Sequence, residues 1–349
     1  MSGTLSDLGI RPLDIAESEA GSHPDLRHVL SESINLRDLA EATDLVQAGL
    51  ILRSSQVVSP TQLKKLGVKT VIDLRQAPVL CKADAHNMRQ GIIRTVHGAV
   101  HWVKRTIKRK KARIINGSST SDFTQLLTSR EQLAEEAAAP CWRCTETGEE
   151  QYGVHAQVYH VDLLPGAVTL FIFAALPRRL QLKVIFLKLT RRHPEPVVAA
   201  AVADPRIMGY SKLYQILLKR SKKNLVSALR LLLCEDHVPV LIHCIHGKDR
   251  TGLVVMLIYL LCGVPHSVIV RDYAQSESLL REGRDNRQLL NMPEEITTDE
   301  IIASQAHIME STLDFLHEQY GDVTAYLRQA GMRHAEIIAL RRLLQEERY

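Results

Sequence analysis

Apolar positions along this chain fall into short and long runs, and the two alternate. The short ones are Ile34-Asn35-Leu36-Arg37-Asp38-Leu39, Leu52-Arg53-Ser54-Ser55, Leu66 to Arg75 and Gln157 to Asp162, which carry Arg, Asp or Ser at or near their ends, and the β-branched Val238-Pro239-Val240-Leu241-Ile242. Runs of this length and composition predict buried strands. Polar groups at their ends would then collect where open α/β sheets bind ligands. The longest apolar run, Thr251 to Cys262, is long enough for a core helix. Asn224 to Glu235 predicts a helix with Leu225, Leu229 and Leu232 on one stripe, and Val264-Pro265-His266 opens another that carries Arg271-Asp272-Tyr273 toward Ser276. Thr297 and Glu300 read as a capping box for a helix striped by Ile301, Ile308, Met309, Leu313 and Leu316 and closed by Gly321. Two short helices are predicted after it, over 323–329 and 334–345. Ala167 to Leu176 and Leu180 to Leu189 are apolar stretches split by Pro177-Arg178-Arg179. Each is too short to span a bilayer, so they predict helices covering the sheet, with a membrane-surface hairpin as the alternative. The alternation gives the fold class: α/β, with a central, largely parallel sheet flanked by helices on both sides.

Two segments break the pattern. Residues 1–30 mix Ser, Gly, Asp, Glu and Pro without periodicity and predict a flexible tail. Residues 82–155 read as an insertion into the domain that spans 31–349. It holds the run Lys104 to Arg113, seven bases in ten residues, beside a Ser/Thr-rich stretch. Such a block is solvated and disordered in the plain reading; contact with an anionic membrane surface or a nuclear address is the functional one. Aromatic residues are too few there for a single-strand nucleic-acid groove. Cys141 and Cys144 form a lone C-x-x-C without a second ligand pair, so no metal is expected.

Composition adds bounds rather than chemistry. With 349 residues, 45% hydrophobic and 24% charged, the chain is globular and fills one large or two ordinary domains. The net charge of +5 is mild, and six cysteines are scattered rather than framed as disulfides. No apolar leader or membrane span is read, so a reducing, cytoplasmic setting is expected, or a nuclear one through the basic run.

The candidate chemistry lies in His243-Cys244-Ile245-His246-Gly247-Lys248-Asp249-Arg250-Thr251-Gly252. A buried strand delivers this polar loop onto a helix N-terminus, where backbone N–H groups and the helix dipole make an anion cradle. Cys244 would stand at its floor and Arg250 on its rim. These surroundings favour the thiolate, the nucleophilic form of cysteine. Arg250 offers a planar fork for two phosphoryl oxygens, which lysine cannot imitate. A nucleotide P-loop is excluded, because Asp249 replaces its hydroxyl residue and Ile242 stands where its first glycine belongs.

The full string resembles the cysteine-dependent protein tyrosine phosphatases, in particular an atypical branch with the signature His-Cys-x-x-Gly-Lys-Asp-Arg-Thr-Gly. The likeness extends over 34–80 and 155–347. It implies a phosphatase that forms a cysteinyl-phosphate, uses no cofactor, and accepts phosphorylated proteins, phosphoinositides or both. It makes Cys244 and Arg250 catalytic and the rest of the loop, His243, Ile245, His246, Gly247, Lys248 and Thr251, substrate-binding. The chain has no Trp-Pro-Asp tripeptide to supply the proton donor, so Asp249 is the expected donor, with Asp73 in reserve. Asp73 and Arg75 are expected near the substrate, and Lys248 is expected to serve a second phosphate. Cys81 or Cys262 is expected to be able to resolve an oxidised Cys244. The rival reading is a phospholigand-binding module, or a membrane or nucleic-acid adaptor built on the basic insertion.

Overall fold

The computed structural model describes residues 33–56, 58, 60–75, 143–145, 156–190, 192, 194–285 and 298–345. The tail, Cys81 and the basic run Lys104 to Arg113 lie outside the described residues.

The apolar runs supply all but one of six strands. These are β1 Arg37–Asp38, β2 Ile51–Ser54, β3 Thr70–Asp73, β4 Arg143–Thr145, β5 Gln157–His160 and β6 Val240–His243. They make one sheet in the order β1-β2-β6-β3-β5-β4. The inner pairs β2–β6, β6–β3 and β3–β5 are parallel, and the edges β1 and β4 run antiparallel. Only the end of the Ile34 to Leu39 run pairs as strand, because Asn35 takes the left-handed conformation, with φ of 58°. Strand β4 falls inside the stretch read from the sequence as an insertion.

Side chains alternate across the sheet, as period-two geometry requires. Leu52, Val71, Val158 and Leu241 share one face with Leu63 and Val68. Ile51, Ile72, Tyr159, Val240 and Ile242 point to the other and join the main core. All four residues of β6 are buried, and as a central strand it carries the loop.

The helices are α1 Pro60–Lys65, α2 Gly166–Ala175, α3 Arg178–Leu189, α4 Glu195–Ala203, α5 Tyr210–Arg220 and α6 Lys222–Leu231. After the loop come α7 Asp249–Leu261, α8 His266–Asp285, α9 Asp299–Ile302, α10 Ala306–Tyr320, α11 Val323–Gln329 and α12 His334–Gln345. Helix α1 covers the first face, while α2 to α8 and α10 to α12 build the core on the second. Helix α7 is buried almost all round, as its continuous apolar run requires.

Two expectations are corrected here. The helix predicted from Thr297 to Gly321 is two helices, broken at 303–305. Thr298 caps α9 without a side-chain hydrogen bond. Ala303 and Gln305 are extended, and Glu277 of α8 accepts the Ser304 amide at 2.9 Å, which stabilises the break. The helix predicted over Asn224 to Glu235 runs from Lys222 to Leu231 and gives way to a short 3-10 turn at Glu235–His237.

Candidate active site

The loop between β6 and α7 is held by its carbonyl groups. The Leu74 amide donates to the His243 carbonyl and the Gln56 amide to that of Ile245, both at 2.9 Å. The Asn35 side chain donates to the His246 carbonyl at 2.8 Å, and Arg53 to that of Gly247 at 2.6 Å. Across a planar trans peptide the next N–H points the opposite way. The amides of residues 246, 247 and 248 therefore face away from the elements that anchor the loop. Gly247 has φ of 70°, and a Cβ there would lie 2.1 Å from the Ser54 carbonyl oxygen, so only glycine lets the loop pass this close to β2.

Arg53 is itself held by a fully buried ion network that the sequence reading missed. Asp272 of α8 pairs with Arg53 and with Arg37, whose Nε lies 2.9 Å from its Oδ1. Arg37 also donates to the Asp272 carbonyl, Ser276 and Asn35. Burial, helped by the neighbouring Arg53 charge, pushes the Arg37 guanidinium down to about 10, which leaves it charged at neutral pH. Burial would raise the Asp272 carboxyl, but Arg53 and Arg37 outweigh it and hold it below the usual range. The sequence signal was the set of polar residues breaking otherwise apolar runs, although their partners lie over 200 residues apart.

Cys244 sits at the C-terminal end of β6 with 1% of its surface exposed. Arg250 is in the first turn of α7, partly exposed, with Nη1 3.4 Å from the Leu74 carbonyl. Thr251 is fully buried one residue further on, and His243 and His246 are buried on either side of the cysteine. Ile245 packs against the small cluster of Ile34, Leu280 and Ile302.

Lys248 and Asp249 take positions their spacing did not announce. Lys248 is completely buried, with its ammonium 2.8 Å from Asp249 and 4.0 Å from the centre of the Tyr210 ring. Its charge is thus directed at Asp249 and an aromatic face rather than exposed for a second phosphate. Asp249 also accepts from the Tyr214 hydroxyl at 2.6 Å, and that hydroxyl lies 2.9 Å from the hydroxyl of Tyr273. Burial would raise the Asp249 carboxyl, but the Lys248 charge and these hydrogen bonds bring it below the ordinary value.

Asp73 and Arg75 form a brace beside the loop. Arg75 bonds both oxygens of the buried Asp73 and reaches Gln56, while His160 and His243 flank the carboxylate at 3.6 and 4.0 Å. Asp162, two residues beyond β5, was not singled out from the sequence. Its Oδ1 accepts the Leu164 amide at 2.8 Å, and Arg250 acts on it electrostatically. Burial nevertheless raises its carboxyl above the ordinary value.

Cys262 cannot resolve an oxidised Cys244 in this fold. It caps the far end of α7, whose 13 residues separate it from the loop by about 20 Å at 1.5 Å per residue. Disulfide geometry needs Cα atoms within about 7 Å. Burial also pushes the Cys262 thiol up to about 11. Among the described residues, no cluster of His, Cys, Asp and Glu could hold a metal ion, and no helix is long and apolar enough to cross a membrane.

Comparison with known proteins agrees with this loop and sheet. The chain is 33% identical over 122 residues to the triple specificity protein phosphatase PtpB of Mycobacterium tuberculosis, covering 30% of this chain and 44% of that protein. It is also 33% identical over 113 residues to a tyrosine-protein phosphatase of Nostoc commune, covering 29% of this chain and 37% of that one. The matches thus span less than half the length of either relative. The family match is far broader, running over residues 28–346, and on that extent the chain belongs to the tyrosine phosphatase family.

Proposed function

We propose that this chain hydrolyses phosphomonoesters through a cysteinyl-phosphate, acting on phosphotyrosine in proteins and on phosphoinositides. The observation that carries the proposal is the junction of β6 and α7. There a buried cysteine, a loop tied back by its carbonyls, and an arginine in the first helical turn are brought to one place. In the first step the Cys244 sulfur attacks phosphorus, and the bond to the leaving oxygen breaks as that oxygen takes a proton. In the second, water attacks the phosphocysteine and releases phosphate and the thiolate. Inward amides, the helix terminus and the Arg250 fork would stabilise the equatorial charge in both steps. The proposed donor is Asp249, beside Arg250. Its surroundings ionise it in the free protein, so an arriving phosphoryl dianion must lift its pKa before it can donate.

The Mycobacterium tuberculosis relative is named a triple specificity protein phosphatase, which supports testing beyond phosphotyrosine. With Lys248 occupied by Asp249, cations for the further phosphates of an inositol ring would come from elsewhere, and the basic run Lys104 to Arg113 is the proposed source. The test is phosphate release from phosphotyrosine, phosphoserine and phosphothreonine peptides and from a phosphoinositide panel, with Cys244→Ser as the blank. Release from none of them would leave the binding-module reading, and release from peptides alone would remove the lipid half.

A further inference from the structure

Of the eight large apolar side chains exposed among the described residues, six lie on the consecutive helices α2 and α3: Leu170, Phe171, Leu182, Ile185, Phe186 and Leu189. The four on α3 fall at i, i+3, i+4 and i+7, so they form one stripe. Leu180 and Val184 lie on the opposite side of the same helix and enter the core. A surface helix ordinarily has one apolar face turned inward. Helix α3 has two, and the fold covers one of them. The uncovered stripe is open to solvent, with Leu182 67%, Phe186 60% and Leu189 77% exposed.

The charge within this segment is of one sign. Between residues 163 and 194 the chain has six bases and no acid. At 100° per residue, Lys183 and Lys188 project on opposite flanks of the stripe, with Arg179 near the first. The Arg220 guanidinium lies 4.1 Å from the centre of the Phe171 ring and puts a further base beside the exposed residues of α2. An apolar stripe between rows of long basic side chains matches an anionic lipid interface. The apolar groups enter the acyl boundary while the bases reach headgroup phosphates. A second copy of this chain is a poor occupant, because a two-fold contact through the stripe would set its bases against their own equivalents.

We propose that α2 and α3 dock this chain on an anionic membrane surface, with α3 lying in the interface and its Leu182, Ile185, Phe186 and Leu189 stripe in the lipid. The helices have 10 and 12 residues, well short of the roughly 20 needed to span, so docking is superficial and reversible. The inference deepens the lipid half of the proposed function, since a docked enzyme meets phosphoinositide headgroups. Docking itself is measured without turnover, so either can fail alone.

The test is co-sedimentation of the full chain with phosphatidylcholine vesicles, with and without phosphatidylserine, at low and high salt. The expected result is binding to the anionic vesicles that weakens with salt. A variant with Leu182→Gln, Phe186→Gln and Leu189→Gln, all at exposed positions, should lose partitioning by about tenfold or more. Lys183→Gln with Lys188→Gln should bind less and with a shallower salt dependence. Turnover of a soluble aryl phosphate should be unchanged in both. Equal binding by wild type and the triple variant, or no binding by wild type, would overturn the proposal. A dimer that the triple variant abolishes would assign the stripe to self-association instead, and a change in soluble turnover would place it over the chain's own cleft.

Discussion

At the scale of single residues, the site divides into groups that would meet the phosphoryl group and groups that hold those in place. Cys244 and Arg250 belong to the first. Cys244→Ser should keep phosphate-ester binding but lose turnover by about three orders of magnitude or more, because a hydroxyl is a far poorer nucleophile at neutral pH. Arg250→Lys should weaken both binding and rate, since the two-oxygen geometry goes; steady-state kinetics would show whether only one falls, which would make Arg250 structural. The proton donor is decided by pH dependence. A donor must be protonated, so activity falls as pH rises through its pKa, and removing it flattens that alkaline limb. Asp249→Asn should do this and cost about 10²- to 10⁴-fold on alkyl phosphates, with less loss on an activated aryl phosphate. If the limb survives in Asp249→Asn and vanishes in Asp162→Asn, the donor is Asp162, the carboxylate that burial already raises. Lys248→Ala should depress all substrates together, because its ammonium pairs with Asp249.

At the scale of elements, a strand-loop-helix unit is legible from sequence because its signals are local. The apolar run of β6, the loop motif and the apolar run of α7 are contiguous, so their order dictates their geometry. The boundaries of α9 and α10 were not legible, because Glu277, far away in sequence, stabilises the break by accepting the Ser304 amide. The same holds for the loop's supports. Asn35, Arg53 and Asp272 contribute nothing recognisable alone and act only once β1, β2 and α8 converge. Gly247→Ala tests that convergence: its Cβ would meet the Ser54 carbonyl at 2.1 Å and occupy a left-handed position. The expected outcome is a folded protein by circular dichroism with rate and phosphate affinity both reduced. Unchanged affinity would show that the loop can move from β2 without losing its cradle.

At the scale of the whole molecule, three carboxylates, the buried Asp73 and Asp272 and the partly buried Asp249, lie around the loop with pKa values below the ordinary range. In each case burial acts against ionisation and is outweighed by neighbouring groups: His243 and Arg75, Lys248 and Tyr214, and Arg53 and Arg37 respectively. An unfolded aspartate titrates near about 3.9, so the native state binds fewer protons than the unfolded one around and below that pH. Their contribution is therefore complete above about pH 5 and is lost as pH falls through 4 and then through the lower native values. Asp38, Glu41 and Asp162, raised by burial, act in the opposite sense and lose their contribution as pH rises through their native values. The depressed group includes the Arg-Asp-Arg network that ties the helical core to the sheet, so the melting temperature should drop steeply below about pH 4. Asp272→Asn should be destabilised at pH 7 by about 3–5 kcal/mol, because two buried arginines lose their counter-charge. It should also lose less stability than wild type between pH 5 and 3, since the titrating group is gone. Thermal unfolding of both proteins across that range checks the two effects together. Parallel acid curves would mean that protonation elsewhere governs acid unfolding, with the network indifferent to it.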